Sequence, residues 1–176
     1  DTPEFGGPEV LKLAEGERPQ VKPYEVLVKV AAAGINRPDI IQRQGNYPAP
    51  ADASPILGLE VAGEVITVGE SVSKWQVGDK ICALTNGGGY AEYVSVPEGQ
   101  CLPIPNGLSM VEAAALPETC FTVWANVFNR AGLKSGESLW TVSQKLGIPF
   151  ARLQELNKDL DPKRMQPGDK IRIAVL

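Results

Sequence analysis

A chain of 176 residues with 43% hydrophobic residues has material for one medium domain or two small ones, and that apolar share excludes a disordered polymer. A formal net charge of −4 gives no general attraction to nucleic acid or anionic membrane, and no apolar run nears the roughly 20 residues that span a bilayer. The absence of histidine removes the commonest general base, the commonest zinc ligand and any Ser–His or Cys–His nucleophile.

The opening Asp1-Thr2-Pro3 has no initiator Met, no basic stretch and no apolar stretch, so no signal peptide is visible. From Val10 to about Pro105 the chain reads as short strands punctuated by Gly and Pro. Tyr24 to Val30 alternates apolar and polar residues, the period of a strand with one buried face. Val61 to Val68, Lys80 to Leu84 and Tyr90 to Val96 repeat that habit. Pro38 in a first turn and Gly45 as a stop predict one helix from about Arg37 to Gln44. Gly87-Gly88-Gly89 leads into a strand rather than a helix, so it reads as a turn and not as a phosphate loop.

The pattern changes at Leu108. Ser109-Met110-Val111-Glu112 fits a capping box, and Pro117 breaks or restarts the helix that follows. Phe121, Trp124, Ala125 and Phe128 recur at helical spacing and predict helix to about Asn129.

A second change comes near Gly136. Residues 1–136 hold 10 Lys+Arg against 16 Asp+Glu, and residues 137–176 hold 7 against 5, so the charge balance turns with the pattern. The tail reads strand–helix–helix–strand: Ala131 to Lys134, then Leu139, Val142 and Leu146 on one helix face before Gly147. A second helix opened by Pro149 carries Phe150, Leu153 and Leu156, and a turn at Pro167 to Lys170 feeds a strand from Ile171 to Val175.

Cys82, Cys101 and Cys120 are widely separated and form no C-x-x-C pair. They read as buried free thiols in a reducing compartment, not as a disulfide framework or a zinc site.

The first part resembles the quinone oxidoreductase branch of the medium-chain dehydrogenase/reductases over residues 2 to about 136. The segments that carry the resemblance stand in family order: Phe5 to Leu11, Ala33 to Asp39, Gly45 to Pro48, Leu57 to Gly63, Val77 to Asp79, Gly89 to Tyr93 and Ala115 to Glu118. The resemblance implies a GroES-like partial β-barrel. It places Asn36, Asp39, Tyr47 and Thr122 near the nicotinamide and substrate, with Tyr47 able to donate to a carbonyl oxygen. The same residues also read as structural: Asn36 satisfying a turn, Asp39 in a first helical turn, Tyr47 as a half-buried ring. Where zinc-dependent members carry Cys and His, this chain has Asn36 and Leu59, so no metal is expected.

The family's cofactor is NADPH, held on a glycine-rich turn between a strand and a helix. At that point the chain reads Leu139 to Gly147 with a single glycine, so no cofactor is expected for this chain. The first strand looks clipped, and a half-built barrel exposes apolar edges that favour self-association.

The tail resembles a LysM module over about residues 131–174, through Gly136 to Trp140, Leu146-Gly147, Leu153 to Asn157 and Pro167 to Ile171. That resemblance implies binding of N-acetylglucosamine glycans, as in chitin or peptidoglycan fragments. It assigns the contacts to two loops: Gly136, Glu137, Ser138 and Leu139, and the stretch with Asp161, Pro162 and Met165. The structural alternative makes Leu139 and Met165 core, Ser138 a helix cap and the unit a spacer. Departing from the pattern, Ala131-Gly132-Leu133 stands where the module's first strand usually opens on aromatic-Thr-Val.

The expected fold class is therefore mainly β with α, a GroES-like partial barrel over residues 1–130 followed by a small βααβ LysM-like module over 131–176. Ala131 to Ser138 satisfies both patterns, which points to recombination or construction at that junction. The expected function is a truncated quinone oxidoreductase-like domain joined to a glycan-binding module, without turnover on its own. Two alternatives stay open: an NAD(P)H-dependent quinone or enone reductase whose cofactor domain comes from a partner, and an artificial chimera with no ligand. Cytoplasm is the expected location, although a glycan module suits the cell envelope. Neither nucleic acid nor membrane is an expected partner.

Overall fold

The computed structural model describes residues 4–130 and 139–158. They divide into two compact units, the first ending at Thr119 and the second beginning at Cys120.

The first unit is built on five antiparallel strands: β1 (Glu25–Ala33), β2 (Glu60–Val68), β3 (Lys80–Leu84), β4 (Tyr93–Pro97) and β5 (Cys101–Pro103), in the order β4-β1-β2-β3-β5. Alternation along the strands sorts side chains to two faces. Val26, Val28, Val61, Val65, Ile81, Ala83, Val94 and Val96 form the main core, and Val30, Val72 and Trp75 pack against it. Ala62 and Cys82 point the other way and meet Ala113 and Ala114 of helix α2 (Met110–Ala114). The small side chains on that face let a helix lie close to the sheet.

Two register shifts in the β1–β2 pairing, at Leu27/Val28 and between Val30 and Ala32, bend the sheet towards a partial barrel. Gly63 lies against the carbonyl oxygen of Lys29 on the neighbouring strand, and any side chain there would collide with it.

Three of the predicted strands and the predicted helix form where the alternation and punctuation placed them, and a fourth strand forms in part. Helix α1 (Arg37–Arg43) begins beside Pro38, and Gly45 follows it with φ of +80°. The strand expected from Tyr90 begins only at Tyr93, because the backbone N–H groups of Gly88, Gly89 and Tyr90 donate to the carbonyls of Ile56, Gly58 and Leu57, respectively, instead of to a neighbouring strand. The short β5 carries no alternation long enough to read.

The capping box at α2 forms as expected: Ser109 N–H donates to Glu112 Oε2 at 2.8 Å, and Glu112 N–H returns to Ser109 Oγ at 3.3 Å. Pro117 opens a new helix, α3 (Pro117–Val123), which widens into π-helical turns from Trp124 to Arg130. Cys82 and Cys101 are buried, and burial pushes the Cys101 thiol up to about 12, followed by the effects of Cys82 and Glu98. Cys120 departs from the expectation of three buried thiols: it is exposed.

In the second unit, α4 (Leu139–Leu146) and α5 (Phe150–Leu156) form as the helical spacing predicted, with Gly147 at φ of +63° between them. Val142 and Leu153 are fully buried against each other, with Leu146, Ile148 and Phe150 around them. Ser143 Oγ donates to Ile148 O at 2.8 Å and closes the turn. Buried Asn157 Nδ2 donates back to Leu153 O at 2.7 Å. The strands expected at Ala131 to Lys134 and Ile171 to Val175 lie outside the described residues.

Candidate functional site

The end of β1 runs through Gly34 into α1, and the start of β2 runs alongside it, with Gly34 N–H donating to Glu60 O at 3.2 Å. A Cβ on Gly34 would strike the Glu60 side chain, so any other residue there would have to displace that carboxylate. That close approach buries Glu60 to 3% exposure at the mouth of the sheet.

A buried charged group needs partners. Glu60 Oε1 accepts from Asn36 Nδ2 at 2.9 Å, and Oε2 accepts from the backbone N–H of Glu118 at 3.0 Å. Glu60 therefore ties the β1–α1 turn to the first turn of α3, satisfying an N–H that has no partner within its own helix.

Asp39 is the second buried carboxylate, 2% exposed, in the first turn of α1. Its Oδ2 accepts from Asn36 N–H at 2.8 Å and from the Tyr90 phenol at 2.9 Å. Its Oδ1 is buried and has no hydrogen-bond partner among the described residues. Tyr90 is pushed above the ordinary phenol range, first by burial and then by the adjacent Asp39 charge, its hydrogen bond and Glu60. A Cβ on Gly58, which has φ of +104°, would come within 2.7 Å of the Tyr90 ring, so the ring lies directly over that glycine.

The structure thus brings Asn36 and Asp39 into one network and adds Glu60 and Tyr90, which sequence reasoning missed. Asp39 fits the structural reading as the residue that closes the start of α1. Tyr47 is half-exposed at 46% and takes no part in that network. Thr122 lies in α3, within the second unit, where its carbonyl accepts from Asn126 Nδ2 at 2.8 Å. The signal for Glu60 was a lone carboxylate inside the otherwise apolar run Leu57 to Gly63. Tyr90 had only its place after three glycines.

The Asn36 amide turns its N–H, not a lone pair, to Glu60, and among the described residues no three His, Cys, Asp or Glu side chains cluster to hold a metal. The Gly87–Gly89 loop offers no phosphate cradle. Gly88, Gly89 and Tyr90 use their N–H groups on Ile56, Gly58 and Leu57 at 2.7, 3.1 and 3.0 Å, and a Cβ on Gly87 would lie 2.6 Å from Ser54 O. A groove of about 280 Å3 runs along β4, lined by residues such as Gln20, Ser54, Asn86 and Ser95, and includes none of Asn36, Asp39, Tyr47 or Tyr90.

Of the glycan-contact residues, Gly136, Glu137, Ser138, Asp161, Pro162 and Met165 lie outside the described residues. Leu139 opens α4. Beside it Trp140 is 56% exposed and meets Phe150 edge-on, with centroids 5.4 Å apart at 76°. No helix among the described residues is long and apolar enough to cross a membrane.

Residues 22–106 match the alcohol dehydrogenase GroES-like domain family, and residues 133–174 match the LysM domain family. The chain is 35% identical to the quinone oxidoreductase of Rattus norvegicus over 153 residues, which cover 86% of the chain and 46% of that protein. In structure it is similar to the human synaptic vesicle membrane protein VAT-1 homolog-like protein, with a TM-score of 0.68 at 33% identity over 77% of this chain and 43% of that one. It is also similar to Escherichia coli quinone oxidoreductase complexed with NADPH, with a TM-score of 0.61 at 32% identity over 69% of this chain and 37% of that one. The chain spans less than half the length of the curated relatives it matches.

Proposed function

Because the chain joins a GroES-like domain of the quinone oxidoreductase type, within the medium-chain dehydrogenase/reductases, to a LysM module, we propose that it binds without turning over. The GroES-like part takes a quinone-type ring beside Asn36, Asp39 and Tyr90, without zinc. The LysM part takes N-acetylglucosamine glycans through Gly136 to Leu139 and Asp161 to Met165, the division between the parts falling at about residue 130.

The observation that supports the absence of turnover is the stretch Leu139 to Gly147, which stands where the family's glycine-rich turn would be and has a single glycine to let several backbone N–H groups converge on a diphosphate. A dinucleotide needs several such N–H groups converging on its phosphates. Without a hydride donor held in place, the phenols and carboxylates of the site can orient a ring but cannot reduce it. Cysteines not joined in disulfides suit a reducing compartment, so the proposal places the chain in the cytoplasm. Exposed apolar side chains such as Leu13 and Ile35 favour self-association over nucleic acid or membrane.

Calorimetry on one sample with NADPH and with a chitin oligomer tests both halves. The expected result is no heat from NADPH and weak binding of the oligomer. Heat from NADPH and none from the oligomer would reverse the proposal. A second reading has one fact in its favour, the chain's span of less than half its relatives: a partner chain supplies the cofactor domain. It predicts NADPH oxidation with a quinone only after that partner is added.

A further inference from the structure

Tyr90 is the one phenol of the site whose proton has a fixed destination. Asp39 Oδ2 already takes the backbone N–H of Asn36, so the proton on the 2.9 Å contact between Asp39 and Tyr90 is the phenol's own. A phenol has one proton to give and lone pairs to receive with. Once the proton is committed inward, the oxygen can only accept from a ligand. The arrangement also strengthens it as an acceptor, because a hydroxyl that donates to a carboxylate draws negative charge onto its own oxygen. Asp39 Oδ1 is buried and has no hydrogen-bond partner among the described residues, so within them the phenol and the Asn36 N–H are the donors to this carboxyl group.

The side chain cannot easily turn to donate elsewhere. Its ring lies over Gly58, and its backbone N–H is held by Leu57 O at 3.0 Å. Yet Tyr90 remains 39% exposed, so a ligand can reach it. Tyr47 contrasts with it, since among the described residues no hydrogen bond commits its hydroxyl.

We propose that Tyr90 is a specificity-determining residue that sets which oxidation state of a quinone-type ring the site holds. Its oxygen accepts a hydrogen bond from the hydroxyl of the dihydroxy form and faces the carbonyl oxygen of the oxidised form lone pair to lone pair. The site therefore favours the reduced ligand. This inference rests on the reading that the GroES-like part takes a quinone-type ring.

The test is calorimetry on the full chain under argon with duroquinone and durohydroquinone. Their four ring methyl groups leave no open carbon for the exposed Cys120 to attack. The wild-type chain is expected to bind durohydroquinone about fivefold more tightly than duroquinone, the ratio one added hydrogen bond gives. Tyr90→Phe is expected to bring the two within about twofold. Equal binding by the wild type, tighter binding of duroquinone, or a preference that survives in Tyr90→Phe would overturn the role of Tyr90 and leave the ligand class standing. Binding of neither compound would overturn both. If Tyr90→Phe does not fold, the dimethyl ether of durohydroquinone decides on the wild-type chain: with its hydroxyls capped it is expected to bind no more tightly than duroquinone, and binding as tight as durohydroquinone would overturn the inference.

Discussion

Removing Glu60 is expected to cost the first unit about 3 kcal/mol of stability, and the size follows from the groups left behind. Glu60→Ala strands two donors in a site where the side chain is 3% exposed: Asn36 Nδ2, now 2.9 Å from Oε1, and Glu118 N–H, now 3.0 Å from Oε2. Each unmade hydrogen bond to a buried partner costs about 1–3 kcal/mol, and the lost methylene and carboxyl group leave a cavity beside Gly34. Against this, a buried carboxylate is itself costly to desolvate, and its removal recovers part of the loss. Glu60→Gln keeps the shape and can accept only one of the two bonds, so about half the effect is expected from it. Urea denaturation at pH 7, followed by far-UV circular dichroism, measures both, and the larger loss corresponds to a fall in Tm of about 10 °C or more. If Glu60→Ala stays within about 0.5 kcal/mol of wild type, the carboxylate does not hold the turn to α3 and the reasoning fails.

Other perturbations test other parts. Gly63→Ala places a methyl against the Lys29 carbonyl on β1, and a loss of about 2–3 kcal/mol in urea denaturation is expected, because backbone cannot step aside as a side chain can. Ser109→Ala removes the cap of α2 and should lower stability by about 1 kcal/mol, measured in the same way. Leu153→Ala hollows the small core between α4 and α5, and a loss of about 2–5 kcal/mol should appear as early melting of helical signal from that unit. Tyr90 has a folded pKa raised above its unfolded value, so its contribution to stability is full below about pH 10 and is lost as pH rises through the folded value. A spectrophotometric titration at 295 nm should show one late phenol in the wild type that is missing in Tyr90→Phe.

The strands were legible because each has a buried face and alternates, and the helices because Pro38, Ser109, Gly45 and Gly147 mark their ends. Strand β5 was not legible: three residues carry no period. Tyr90 to Glu92 alternates like a strand, but the preceding glycines direct the local N–H groups to residues 56–58, a long-range pairing that periodicity cannot report. At the site, Asn36 and Asp39 were found through the resemblance, and the capping geometry that joins them follows from their spacing of three. Glu60 and Tyr90 join the site only through contacts across 24 and 51 positions of sequence. Tyr47 was chosen through the same resemblance, and the phenol that donates to Asp39 is Tyr90.

The central claim is that this chain alone holds no hydride donor in place. The most direct measurement is absorbance at 340 nm over time with the purified chain, NADPH and duroquinone, against the same mixture without protein. The account predicts identical slopes. Sustained, protein-dependent loss of NADPH would contradict it.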